Sequence, residues 1–159
     1  MCILDWVYKF VIIITNVVIC YGVYLAGKQL NSFKADNDLR KKQATINFYH
    51  SIEQCFMVSL RKIRRKFPTG TLVVYKKIKN NPELRSDINN YLNCMHNIAT
   101  GINHGLYDID LFNKMSGKLA LMWHIKLEDY LRHTRLANPT IYLEYERLIN
   151  ELKNRQRIC

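Results

Sequence analysis

The hydrophobic and polar positions fall into two regimes. Between Trp6 and Ala26 a stretch of 21 residues carries one charge, Lys9, and from Phe10 the run is uncharged for 17 residues. As a helix rising ~1.5 Å per residue, such a segment is ~30 Å long, the thickness of a bilayer's hydrocarbon core. Helix is also the only single-segment structure that satisfies its own backbone there. After Gly27 the pattern changes. Apolar residues recur at three- and four-residue steps through Leu39, Ile46, Phe48, Tyr49, Ile52, Phe56 and Leu60, with no Gly or Pro before Pro68. A helix is predicted to leave the membrane and continue to about Lys66, ended by Phe67-Pro68-Thr69-Gly70.

Later elements are punctuated. Leu72 to Lys79 reads as a short helix or turn, since a lone strand has no partner. Asn81 as N-cap, Pro82 at the first position and Glu83 in the first turn open a helix. Its stripe is Leu84, Ile88, Tyr91, Leu92, Met95, Ile98, Ala99 and Ile102, and Gly105 stops it. Asp108 caps another, carrying Leu111, Phe112, Met115, Leu119, Met122, Trp123, Leu127, Tyr130 and Leu131 as far as Leu136. Asn138-Pro139 repeats the cap-and-proline signal for a last helix with Tyr142, Tyr145, Leu148, Ile149 and Leu152. The expected fold is all-α: one N-terminal transmembrane helix, then a cytosolic bundle of about four helices. The segments are 1–5, a short translocated N-terminus; 6–27, the span; 28–38, a juxtamembrane stalk; and 39–159, the helical domain.

A cleaved secretory signal wants a basic start, a shorter apolar run and small residues before the cut. The chain starts Met-Cys-Ile-Leu-Asp, and Tyr24 and Leu25 crowd the end of the run. Ile19 before Cys20 argues against a lipoprotein signal. A retained anchor is the reading, with Trp6, Tyr8 and Phe10 at one edge and Tyr21 and Tyr24 near the other. Lys28, Lys34, Arg40, Lys41 and Lys42 follow the span, whereas Lys9 alone lies on the other side. The positive-inside rule then puts the domain in the cytoplasm, on an inner or plasma membrane, with the N-terminus outside. Five scattered cysteines (Cys2, Cys20, Cys55, Cys94, Cys159) without Cys-x-x-Cys spacing read as reduced thiols.

Charge sharpens the picture at one place. The net charge of +11 is concentrated in Arg61, Lys62, Arg64, Arg65, Lys66, Lys76, Lys77 and Lys79, a stretch without an acid. Residues 80–159 hold ten bases against nine acids. Anionic lipid headgroups, nucleic acid phosphates and a merely solvated helix end all remain open as its surroundings.

Catalytic and metal signatures are missing. His50, His96, His104, His124 and His133 show no pair three or four apart, and Cys94 and His96 face different sides of their helix. No Gly-rich phosphate loop or nucleophile elbow occurs. The Arg-then-His spacing of small helical ribonucleases fails, since His96 is eleven residues after Arg85 and His133 directly follows Arg132. Asp108, Asp110, Glu128 and Asp129 are the candidates for a converging acidic pair, although capping explains Asp108. No cofactor, metal or small-molecule substrate is implied, and nothing positive argues for an enzyme.

The stretch from Tyr91 to Asp108 resembles the central helix of a family of small bacterial and prophage proteins classed as a domain of unknown function. Many of these begin with one transmembrane helix. The pattern is Leu-Asn, two aromatics, Glu, two residues, Ala, one residue, Gly-Ile, then a Gly and an acid. Leu92, Asn93, Ala99, Gly101, Ile102, Gly105 and Asp108 fit it, and Trp123, Tyr130 and Arg135 match the following helix. Cys94 and Met95 replace the aromatics and His96 the Glu, so Arg135 needs another partner if that Glu pairs with it. The resemblance covers about residues 40–150 and implies an anchored helical domain without naming an activity. Gly101 costs about 1 kcal/mol in a helix relative to Ala, which points to a close helix crossing.

The expected role is a non-enzymatic protein-interaction or scaffold module at the cytosolic face, its partner another protein or its own copy, with a prophage or host-defence setting. The alternatives are a nucleic-acid or anionic-lipid binder using residues 61–79, and a cryptic helical nuclease.

Overall fold

A computed structural model describes residues 3–67 and 74–157, and all regular structure among them is helical. The elements are α1 (Ile3–Lys66), α2 (Tyr75–Lys79), α3 (Pro82–Asn103), α4 (Ile109–Phe112), α5 (Lys118–Ala137) and α6 (Leu143–Arg157), with a π-helical turn, Asn113–Gly117, joining α4 to α5. The expected stop at Pro68–Gly70 and the apolar pair Leu72–Val73 lie outside the described residues. The chain divides into two units, Met1–Arg40 and Lys41–Cys159.

In the first unit every described side chain from Tyr8 to Arg40 is exposed. Trp6 and Phe10 stack with ring centroids 5.9 Å apart, and the Thr15 hydroxyl donates to the Val11 carbonyl at 2.9 Å. That bond internalises the polar atom of a side chain set among aliphatics. Tyr8–Glu53 is long and apolar enough to cross a membrane, its most apolar window averaging a hydropathy of 2.1 with none of it buried.

The second unit has a core of its own. The α3 stripe is fully committed, with Ile88, Tyr91, Leu92 and Ala99 inaccessible to solvent. α6 brings Tyr145, Leu148, Ile149 and Leu152 to this core, and α5 brings Trp123, Leu127 and Leu131. Each large buried side chain contributes roughly 1.5–3 kcal/mol. The last turns of α1 add Phe56, Leu60 and Ile63, and Phe67 follows just past its end, the four spaced by four, three and four. An aromatic ladder runs through the centre: Tyr49 to Phe56 at 6.3 Å, Phe56 to Tyr91 at 5.4 Å, Tyr91 to Trp123 at 6.1 Å.

Caps behave as their chemistry dictates. Asn81 accepts from the Leu84 N–H at 3.0 Å and Asp108 from the Leu111 N–H at 2.7 Å. Thr45 on α1 accepts the Asp108 N–H at 2.8 Å and donates to the Lys41 carbonyl at 2.7 Å, so one hydroxyl ties α1 to the start of α4. At the end of α3, Gly105 has φ 73°. Leu106 N–H bonds the Gly101 carbonyl at 2.8 Å and Gly105 N–H the Ile102 carbonyl at 2.9 Å, a Schellman closure.

Three expectations need correction. The helix foreseen from Asp108 to Leu136 is interrupted by the π-helical turn. There Gly117 makes room for the Asn113 amide oxygen, which lies where a Cβ would be. Secondly, the last helix does not open at Asn138-Pro139. Asn138 instead accepts from the Thr140 N–H (3.3 Å) and hydroxyl (3.0 Å), forming a turn, and α6 begins at Leu143. Tyr142 takes φ 58° in that turn, which costs ~1–2 kcal/mol, but its ring is buried to 6% exposure, a gain of similar or larger size. Thirdly, the group that approaches Gly101 most closely is a side chain beyond the end of α3 and not a crossing helix. The Tyr107 ring, folded back by the Schellman turn, lies where a Cβ at 101 would be.

Candidate functional site

The basic residues of α1 occupy the arc that the core leaves free. Ile63 and Phe67 point inward, while Arg61, Lys62, Arg64, Arg65 and Lys66 are exposed. Acids of α3 meet two of them: Lys62 Nζ lies 3.5 Å from Asp87 Oδ1 and Lys66 Nζ 3.8 Å from Glu83 Oε2. These residues, with Arg65 and Ser86, border an open cavity of about 520 Å³. Sequence counting showed no acid within 61–79, yet folding supplies two. Arg61 donates to the Met57 carbonyl at 3.2 Å. Arg64 and Arg65 make no ion pair among the described residues.

Lys76, Lys77 and Lys79 are presented by α2, a helix too short to hold itself. Ile78 anchors it in the core, fully buried. Val74 offers no side-chain cap, and the job falls to Asp129 of α5, whose Oδ2 accepts the Tyr75 N–H at 2.9 Å. The Tyr75 ring stacks on His133 at 4.4 Å with planes 5° apart. Arg132 donates to the other Asp129 oxygen at 2.8 Å. The Tyr75 N–H, then the Arg132 guanidinium, hold the Asp129 carboxyl below its ordinary range.

A second polar concentration lies between α5 and the start of α6. His124, Glu128, Leu131 and Arg135 follow one another by four, three and four residues and so share a face. With Arg132, Leu136, Pro139 and Glu146 they line a cavity of about 480 Å³. Arg135 Nη1 bonds the Glu146 carboxylate, which is the partner that Arg135 has here. Arg135 Nη2 and His124 Nδ1 are closed to solvent and have no partner among the described residues. Burial, followed by the nearby Lys153 ammonium, lowers the His124 pKa and favours the neutral imidazole. Nearby phenols shift the other way: burial raises Tyr145 and pushes Tyr142 up to about 12. The His124–Arg135 spacing was visible in the sequence. Its facing Glu146 was not, because that pairing depends on where α6 begins.

The four acids considered as a converging pair go to four tasks. Asp108 caps α4, Asp110 pairs with Arg155, Glu128 borders the α5/α6 cavity, and Asp129 caps α2. No group of three or more His, Cys, Asp or Glu residues suited to a metal occurs among the described residues. His133 Nδ1 lies 2.9 Å from the Asp129 carbonyl, His50 Nδ1 lies 3.3 Å from Glu53, and His96 meets Tyr142 edge-on at 6.1 Å. Of the residues carrying the resemblance, Leu92, Ala99, Ile102, Trp123 and Tyr130 are in the core, whereas Asn93 is exposed.

No curated protein and no solved structure matches the chain. Residues 12–152 match the family described as a domain of unknown function (DUF4760), and the chain belongs to that family.

Proposed function

We propose that this is a single-pass membrane protein with its N-terminus outside and residues 39–159 in the cytoplasm, acting as a non-enzymatic interaction or scaffold module at the membrane face. One observation carries the reading: the helix from Phe10 to Ala26 is uncharged and every side chain on it is exposed. An uncovered apolar cylinder of that length finds its complement in a bilayer. The excess of Lys and Arg after the span supports the direction. The resemblance to bacterial and prophage proteins favours a phage–host setting. Reporter fusions at the C-terminus test the topology: a reporter active only in the cytoplasm agrees, and one active only outside it overturns the orientation.

A second reading is favoured by the exposed Arg61, Arg64, Arg65, Lys76, Lys77 and Lys79, for which no ion pair is made among the described residues. Here the surface holds anionic lipid headgroups or nucleic acid phosphates. Changing Arg61, Arg64 and Arg65 together to Glu is expected to remove salt-sensitive binding to anionic vesicles or to RNA. Unchanged binding sinks this reading and leaves the first standing.

A further inference from the structure

α5 turns a second face outward. Ile125 is 55% exposed and Leu136 is 80% exposed. Between them on the same face stand Glu128 and Arg132, both exposed, and Glu128, Arg132 and Leu136 form an unbroken four-residue ridge. Grooves flank the ridge. On one side lies a cavity of about 290 Å³ bordered by Ile125 and Lys126. On the other is the cavity of about 480 Å³ bordered by Arg135 and Pro139. Glu128 and Arg132 border both. A ridge between two grooves is the shape that another helix meets when ridges pack into grooves.

The order of side chains says which helix. Read from one end the face is apolar, acid, base, apolar; read from the other it is apolar, base, acid, apolar. An identical helix laid antiparallel, about a twofold axis between Glu128 and Arg132, puts Glu128 opposite the partner's Arg132 and Ile125 opposite the partner's Leu136. Both contacts then occur twice, as an isologous interface requires. A parallel copy would instead set acid on acid and base on base, which is disfavoured. We infer that the Ile125–Glu128–Arg132–Leu136 face of α5 is a homodimer interface, its occupant the same face of a second copy packed antiparallel. Arg132 already bonds Asp129 at 2.8 Å, so its guanidinium is oriented before association. This inference names a partner for the interaction module but does not depend on the membrane assignment.

The test is the oligomeric state of the full chain, solubilised in detergent, by sedimentation equilibrium. The native chain is expected to dimerise. Glu128→Arg and Arg132→Glu each place like charges together and are expected to weaken the dimer by roughly tenfold or more. The double variant E128R/R132E restores opposite charges and is expected to recover it. An equimolar mixture of the two single variants is expected to form a mixed dimer, since each supplies what the other lacks. Ile125→Ser and Leu136→Ser, at exposed positions that leave the fold intact by circular dichroism, are expected to weaken the dimer without charge change. A native chain that stays monomeric overturns the inference. So does a dimer indifferent to I125S and L136S, or one that the charge swap fails to rescue; a dimer held through α1 alone would show that indifference.

Discussion

The Asp129 carboxylate accepts the Tyr75 backbone N–H at 2.9 Å across a sequence separation of 54 residues. A capping function normally supplied by the preceding residue is thus supplied by another helix. Without it, a single turn bearing Lys76, Lys77 and Lys79 is held by Ile78 in the core and by the Tyr75 ring against His133 and Tyr130. Asp129→Ala is therefore expected to speed amide exchange over residues 75–79 and to expose those lysines to trypsin, while α3 and α6 keep native protection. Because the carboxyl pKa is lowered in the fold, the cap is present at neutral pH and is lost as pH falls through the depressed value, below the ordinary 3.8. Unchanged exchange over 75–79 would show that the cap is dispensable.

Gly101→Ala gains up to about 1 kcal/mol of helix propensity. Against this, the new methyl meets the Tyr107 ring, which also packs on Phe48 with centroids 5.0 Å apart. Moving the ring should cost about 1–3 kcal/mol, so the net effect is destabilising. In a Tyr107→Ala background the same change should be neutral or stabilising. Urea midpoints of the four proteins decide it, and equal shifts in both backgrounds would refute the contact.

Stability should also respond to mild acid through His124. Its pKa is lowered by burial, then by Lys153, with Arg135 adding to the effect and Glu146 and Glu128 opposing it. The unfolded chain therefore takes up the proton at higher pH than the fold, and stability falls as pH drops below about 6.5. His124→Gln is expected to flatten the pH dependence of the thermal midpoint between pH 7 and pH 5. A variant with the native slope would place the sensitivity elsewhere.

The Arg135–Glu146 pair is partly buried, with side chains 24% and 34% exposed. Removing one partner leaves the other charge poorly solvated. Arg135→Met is expected to cost about 1–3 kcal/mol, Glu146→Gln somewhat less, and the two together less than their sum. Strict additivity in denaturant titration would mean the two charges do not interact.

Local rules written in the chain explain most of what was legible in advance. The Asn81 and Asp108 caps, the α3 stripe, the Gly105 stop and the end of α1 at Lys66 each follow from residues within a turn or two of one another. Elsewhere distant groups decide the outcome. Asn138-Pro139 has every local mark of a helix start, yet burying Tyr142 against the core outweighs it and delays α6 to Leu143. Gly101 announced a close approach, but only the fold back through the Schellman turn shows that Tyr107 makes it. In the basic segment the charges were plain, whereas the acids that meet Lys62 and Lys66 come from the next helix. The pairing of Arg135 with Glu146 depends on the register between α5 and α6, which no local pattern encodes.

Alkaline carbonate extraction of membranes from cells expressing the full chain, with intact-mass measurement of the extracted protein, tests membrane anchorage most directly. The uncharged, exposed helix from Phe10 to Ala26 predicts that the chain stays in the pellet with its N-terminal segment uncleaved. Release into the supernatant, or a mass lacking the apolar run from Phe10 to Ala26, would contradict the account.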